Sequence, residues 1–178
     1  MLRRAGAEVT RIGFNAGDRF FWRDRESYLA FTDSLDVWPE TLAEILSSRG
    51  ITDILLYGDT RPIHAEAVKQ AKALGLRVHV LEEGYLRPYW ATYERDGSNG
   101  HSRLTDMSID EMRGALAMSD PDAPIPSGSH WGEMRQHVFY GALYHWFVMF
   151  VNGAYKNVQR HRELPVATEL KLYLGRLI

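Results

Sequence analysis

The 178-residue chain contains no cysteine, which excludes disulfides, a thiolate zinc site and a cysteine nucleophile. It has no excess of either charge. Its 21 basic and 23 acidic residues leave a formal net charge of -2, too little for a nucleic-acid binder working by bulk electrostatics. No apolar run reaches the length that spans a bilayer; the strongest, His137 to Val151, is too short and is interrupted by His145. Met1-Leu2-Arg3-Arg4 leads into Ala-Gly-Ala-Glu rather than an apolar core, so no secretory signal is expected. Neither G-x-G-x-x-G nor G-x-x-x-x-G-K-[ST] occurs, which argues against dinucleotide oxidoreductases and P-loop NTPases. The seven histidines lack H-E-x-x-H or comparable spacing, and G-x-S-x-G is absent, so no metal, no other cofactor and no serine triad is expected.

What remains is a folded chain, 45% hydrophobic and 25% charged, long enough for one domain or half of a two-domain enzyme. Glu8 to Phe14 alternates apolar with polar residues and stops at Asn15-Ala-Gly17, which predicts a strand and a turn. Trp38, Leu42, Ile45 and Leu46 fall on one helical face, with Pro39 in the first turn and Gly50 at the end. Asp53 to Tyr57 reads as a buried strand. Pro62 to Leu74 reads as a helix with the inner stripe Ile63, Ala67, Val68, Ala71 and Leu74, closed by Gly75. Arg77 to Leu81 is a third strand that breaks at Glu82-Glu83-Gly84. This alternation predicts an α/β fold with one parallel sheet, whose ligands bind beyond the carboxyl ends of the strands.

Farther along, Arg95 to Gly100 reads as a loop or hairpin tip, and Met107 to Met118 as a helix capped by Asp106 or Ser108. The predicted organisation is an α/β domain over 1–120, a Pro- and Ser-rich linker over 121–129, and an aromatic helical segment over 130–178. Met1 to Gly6 resembles the end of a helix, so a preceding strand is expected to be missing. His137 to Arg162, aromatic and then cationic, suits either a membrane interface or a buried contact with another domain.

Two strand ends carry the chemistry. Adjacent carboxylates at Glu82 and Glu83 point in opposite directions, so one can face a ligand crevice as base or nucleophile while the other braces a loop. Gly84 permits close backbone approach, and Arg87 can clamp a carboxylate or phosphate. The plainer alternative is a solvated acidic turn. Gly58 to His64 joins a buried strand to a helix N-terminus and is a candidate substrate-binding loop with Asp59, Arg61 and His64, where the cationic groups and backbone N–H groups could hold an anion; alternatively Asp59 or Thr60 merely caps the helix. Phe20, Phe21 and Trp22 could line an acceptor site, although core packing is the better account of those rings.

Three ordered motifs resemble the capsular polysaccharide synthesis and export proteins of the KpsS/LipB type. They are Phe14-Asn-Ala-Gly-Asp18 with Phe21-Trp22, Tyr57-Gly-Asp-Thr-Arg-Pro-Ile-His64, and Leu81-Glu-Glu-Gly-Tyr-Leu-Arg-Pro88, with Tyr93-Glu94 and Ser98-Asn-Gly100 behind them. The resemblance implies the Rossmann-like half of a GT-B glycosyltransferase, in which Asn15 and Asp18 join the substrate-binding set. The implied reaction is transfer of Kdo from CMP-Kdo to a phosphatidylglycerol-type lipid, with retention. It further implies Glu83 as nucleophile or base, Glu82 as its organiser, and a cytoplasmic protein peripheral to the inner membrane, with other capsule-assembly proteins as candidate partners. One departure is clear: the His-Pro pair that the family carries for the CMP phosphate is absent here. The chain is therefore expected to be a fragment that is inactive alone. A non-catalytic assembly and membrane-docking module, or a related CMP-sialate transferase, are the alternatives.

Overall fold

A computed structural model describes residues 2–84, 90–120 and 134–159, with positions 164, 168, 171 and 172. The chain divides into two compact units, one built from 1–37 and 132–178 and the other from 38–131.

In the first unit, β1 (Arg11–Gly13) leads through α1 (Ala16–Phe21) to β2 (Tyr28–Ala30), and the two strands pair in parallel with Ile12 opposite Leu29. Asn15 starts α1 in the manner of an N-cap: its side-chain oxygen accepts the Asp18 N–H at 2.8 Å. The long helix α5 (Met134–Phe150) then lies on α1. Phe147 stacks on Phe20 with ring centroids 4.0 Å apart, and Phe21 meets Tyr140 and Tyr144. Phe20 and Phe21 thus pack against α5 but stay 43% and 42% exposed, so neither is a core residue. Past α5, the buried Tyr155 shares a 2.9 Å hydroxyl contact with Tyr28, tying β2 to the turn Asn152–Tyr155. The opposite side of α5 is apolar too: Val138, Phe139, Trp146 and Phe150 are all exposed.

The second unit is an α/β layer. α2 (Trp38–Ser48) buries Trp38, Leu42 and Leu46, the i, i+4, i+8 stripe expected of an amphipathic helix. The indole N–H of Trp38 donates to the Ile63 carbonyl at 3.1 Å, fixing α2 on α3 (Pro62–Ala73). β3 (Asp53–Tyr57) and β4 (Arg77–Glu83) pair in parallel, Tyr57 opposite Leu81. On one face of β4, Val78 and Val80 are wholly buried with Ala71 of α3; small residues on the helix let it lie close to the sheet. On the other face, Leu55, Tyr57 and Tyr93 stay half exposed. That face carries a hydrogen-bonded chain: His79 meets the Tyr93 hydroxyl at 2.7 Å and Asp53 at 2.8 Å, while Arg77 and Thr52 donate to Asp53. α4 (Ile109–Ala117) begins in a capping box between Ser108 and Glu111, as one of the two predicted caps.

The α/β character with parallel pairing agrees with the sequence, and four details differ. The first strand does not join β3 and β4 but pairs with β2, a strand too short to show a pattern, in a separate two-stranded sheet. The third predicted strand does not end at Leu81. It runs through Glu83 because an antiparallel edge strand, β5 (Ala91–Arg95), satisfies its backbone, with Glu82 opposite Thr92 and Glu83 opposite Ala91. Arg95 to Gly100 leaves β5 as a loop, one of its two readings, but β3 is covered on one face only rather than buried on both, since Leu55 and Tyr57 are half exposed. Leu74 is exposed rather than part of the inner stripe of α3. The predicted linker lies outside the described residues.

Candidate functional site

β3 and β4 end side by side, and their ends bring Gly58-Asp59 next to Glu82. The side chain of Glu82 shares a face with Val78 and Val80 and is half buried; Glu83, one residue on, is exposed on the opposite face. A Cβ placed on Gly58 would lie 3.3 Å from the Glu82 carboxylate, so the two strand ends are in close contact. Gly58 also has φ near +76°, a conformation that glycine adopts at no cost.

Asp59 neither caps α3 nor reaches solvent. The residue before that helix is Arg61, whose side chain makes no cap bond, while Asp59 is 3% exposed and turned inward. Its Oδ2 accepts the Ser98 N–H at 2.9 Å and faces His101 Nδ1 at 3.2 Å. Its Oδ1 is buried with no hydrogen-bond partner among the described residues. The Ser98 hydroxyl donates to Glu82 Oε1 at 3.3 Å, so one buried serine connects both carboxylates. The supporting loop is tightly built. Asp96 and Asn99 hold φ of 70° and 50°, rare for residues with a side chain, and a Cβ on Gly97 would sit 2.3 Å from the His101 carbonyl oxygen. Ser98 enters the sequence reading only through the Ser98-Asn-Gly100 motif and His101 not at all; neither reads as a site residue, because their loop looks like an ordinary turn. The signal that could have found them is the Asp-Gly-Ser-Asn-Gly run beyond the acidic strand.

The remaining sequence candidates fall in three places. Arg61 is exposed at the α3 N-terminus, and His64, in the first turn, uses Nδ1 to donate to the Gly58 carbonyl at 2.8 Å. Gly84 is buried; its N–H donates to the Trp90 carbonyl at 2.9 Å, and a Cβ there would stand 2.3 Å from that oxygen. Arg87 lies outside the described residues. Asn15 and Asp18 belong to the first unit, where the chain itself engages them. Asp18 accepts from the Phe14 N–H at 3.0 Å, Arg11 at 3.2 Å, the Asn15 amide at 3.2 Å and the Tyr144 hydroxyl at 3.4 Å. The Asn15 amide also donates to the Tyr144 hydroxyl at 2.8 Å. Burial first, and then the Asp18 charge, push the Tyr144 phenol above its usual range.

The profile of the family described as capsule polysaccharide biosynthesis protein matches residues 52–178, which include every element of this rim. The chain belongs to that family. Among curated proteins, this capsule-family chain is 41% identical over 103 residues to the capsule polysaccharide export protein KpsS of Escherichia coli, covering 58% of the chain and 26% of that protein. It is 35% identical over 129 residues to the capsule polysaccharide modification protein LipB of Neisseria meningitidis serogroup A, covering 70% of the chain and 30% of that protein. The capsule-family chain thus spans under a third of the length of these relatives. No solved structure matches it.

Proposed function

We propose that this chain carries the acidic rim of a retaining glycosyltransferase that adds Kdo from CMP-Kdo to a phosphatidylglycerol-type lipid acceptor at the inner face of the cytoplasmic membrane. The observation that supports the reading is the division of labour in the acid pair. Glu82 is committed to Ser98, which suits an organiser, while Glu83 is exposed at the last position of β4, where a carboxylate can reach a bound sugar. As the donor ionises, positive charge grows at the anomeric carbon. A carboxylate held beside it stabilises that charge or traps it covalently, and an acceptor then displaces the carboxylate with net retention. The donor is itself an acid on a phosphate, so Arg61 and the α3 N-terminus supply the complementary charge. Within this reading Rossmann-like halves pair as in GT-B enzymes, and the 178-residue polypeptide does not turn over by itself.

The test is formation of lipid-linked Kdo from CMP-Kdo by the protein expressed from its complete reading frame. Glu83→Gln should abolish it with the thermal melt unchanged, and replacing CMP-Kdo with CMP-sialate should give no product. Full activity of Glu83→Gln sinks the reading, and preference for the sialate donor moves it to a sialyltransferase.

A second reading, a non-catalytic module that docks capsule machinery to the membrane, draws on the exposed Val138, Phe139, Trp146 and Phe150 of α5. No helix among the described residues is long and apolar enough to cross a membrane. Normal capsule with Glu83→Gln and loss of membrane association with Trp146→Glu would favour it.

A further inference from the structure

We infer that His101 is the proton acceptor of this rim, with Asp59 as the residue that orients it; the inference rests on the transferase reading and adds the group that activates the acceptor alcohol. Three observations converge on it. First, exposure differs sharply across the contact: the Asp59 side chain is 2% exposed and that of His101 64%. A carboxylate that accepts through Oδ2 leaves only one arrangement for a neutral imidazole, with the proton on Nδ1 and the lone pair on Nε2. The base is therefore held at one end by a buried anion and presents its other end outward, the orienter–base half of a hydrolytic triad. Second, Asp59 is itself fixed by the Ser98 N–H, and Ser98 reaches on to Glu82, so the proton acceptor and the inner member of the acidic pair share one loop. Third, that loop holds two non-glycine residues at positive φ, a cost that persists only where surrounding structure enforces it.

The step is as follows. The acceptor hydroxyl oxygen bonds to the anomeric carbon while the bond from that carbon to the departing oxygen breaks. The electron pair leaves with the departing oxygen, which is the donor phosphate or the carboxylate of a glycosyl-enzyme. The hydroxyl proton passes to His101 Nε2 and then to water. Asp59 stabilises the imidazolium formed. The charged groups around His101 in this step are Asp59 from the end of β3 and, through Ser98, Glu82 from β4.

Two measurements test this together. Nitrogen shifts of the His101 ring, in the labelled 178-residue chain with the ring neutral, should show Nδ1–H in the native chain and lose that preference in Asp59→Leu. In the complete protein, His101→Ala should lower kcat about a hundredfold or more with the melt unchanged. The variant should be rescued by added imidazole. An Nε2–H ring in the native chain overturns the inference, as does a His101→Ala protein with native kcat beside an inactive Glu83→Gln. A complete native protein that transfers no sugar sinks the transferase reading and this role with it, whereas the preceding outcomes leave the transferase reading standing.

Discussion

Asp18 and Asp59 look alike in the sequence: each follows a short strand, sits in a Gly-containing turn and precedes or opens a helix. Their fates are opposite. Asp18 is saturated by donors from Arg11, Phe14, Asn15 and Tyr144, all inside its own unit, and α5 closes over it. Asp59 keeps a buried oxygen with no partner among the described residues and spends the other on a loop that connects to Glu82. The first is a keystone; the second, in the role proposed for it, is a support for chemistry. A carboxylate whose acceptor sites are all filled by its own chain has little left to offer a ligand, whereas one that orients an exposed imidazole transmits its charge outward.

Four experiments would break or sharpen this contrast. The largest effect should come from Glu83→Gln in the complete protein, a fall of roughly 10²–10⁴ in turnover with native stability. Next, Gly17→Ala forces a Cβ to within 2.6 Å of the Tyr144 ring. That ring is held by Asn15 and Asp18 and cannot simply swing away, so the variant should lose about 1–3 kcal/mol in denaturant unfolding. Smaller again, Tyr144→Phe removes one hydroxyl from the Asp18 cluster and should cost about 1 kcal/mol. If Gly17→Ala and Tyr144→Phe left stability intact but abolished turnover, Asp18 would belong with the reactive group and the contrast would fail. The smallest effect concerns Asp53, whose carboxyl is held well below the usual range, chiefly by Arg77 and then by Thr52 and His79. Because its folded value is depressed, the stabilisation is complete above its unfolded value and is lost as pH falls through the folded one. Asp53→Asn should therefore flatten the acid limb of the stability curve below about pH 4, by less than about 1 kcal/mol since the group is partly exposed.

Legibility in the sequence followed element length and periodicity. Helices α2, α3 and α4 and strand β3 announce themselves, since each has a full apolar stripe or run. β2 has three residues and α1 six, too few for either period to register. β4 was cut short at Leu81 because two glutamates look unlike strand residues; the backbone of β5, not their side chains, keeps them extended. The acid pair and Asp59 were legible as candidates, but not their company. Ser98 is 39 residues from Asp59, and Tyr144 is 126 from Asp18, and a single sequence holds no trace of which distant side chain will arrive.

The tight pass of Gly84 against Trp90 has a consequence for anyone who edits this region. No side chain fits there, so the point where the two chains meet cannot slide by one residue. A single amino acid inserted between Val80 and Glu82 would therefore be absorbed as a bulge ahead of that lock, turning the residues before it to the other face while Glu82 and Glu83 stay opposite Thr92 and Ala91.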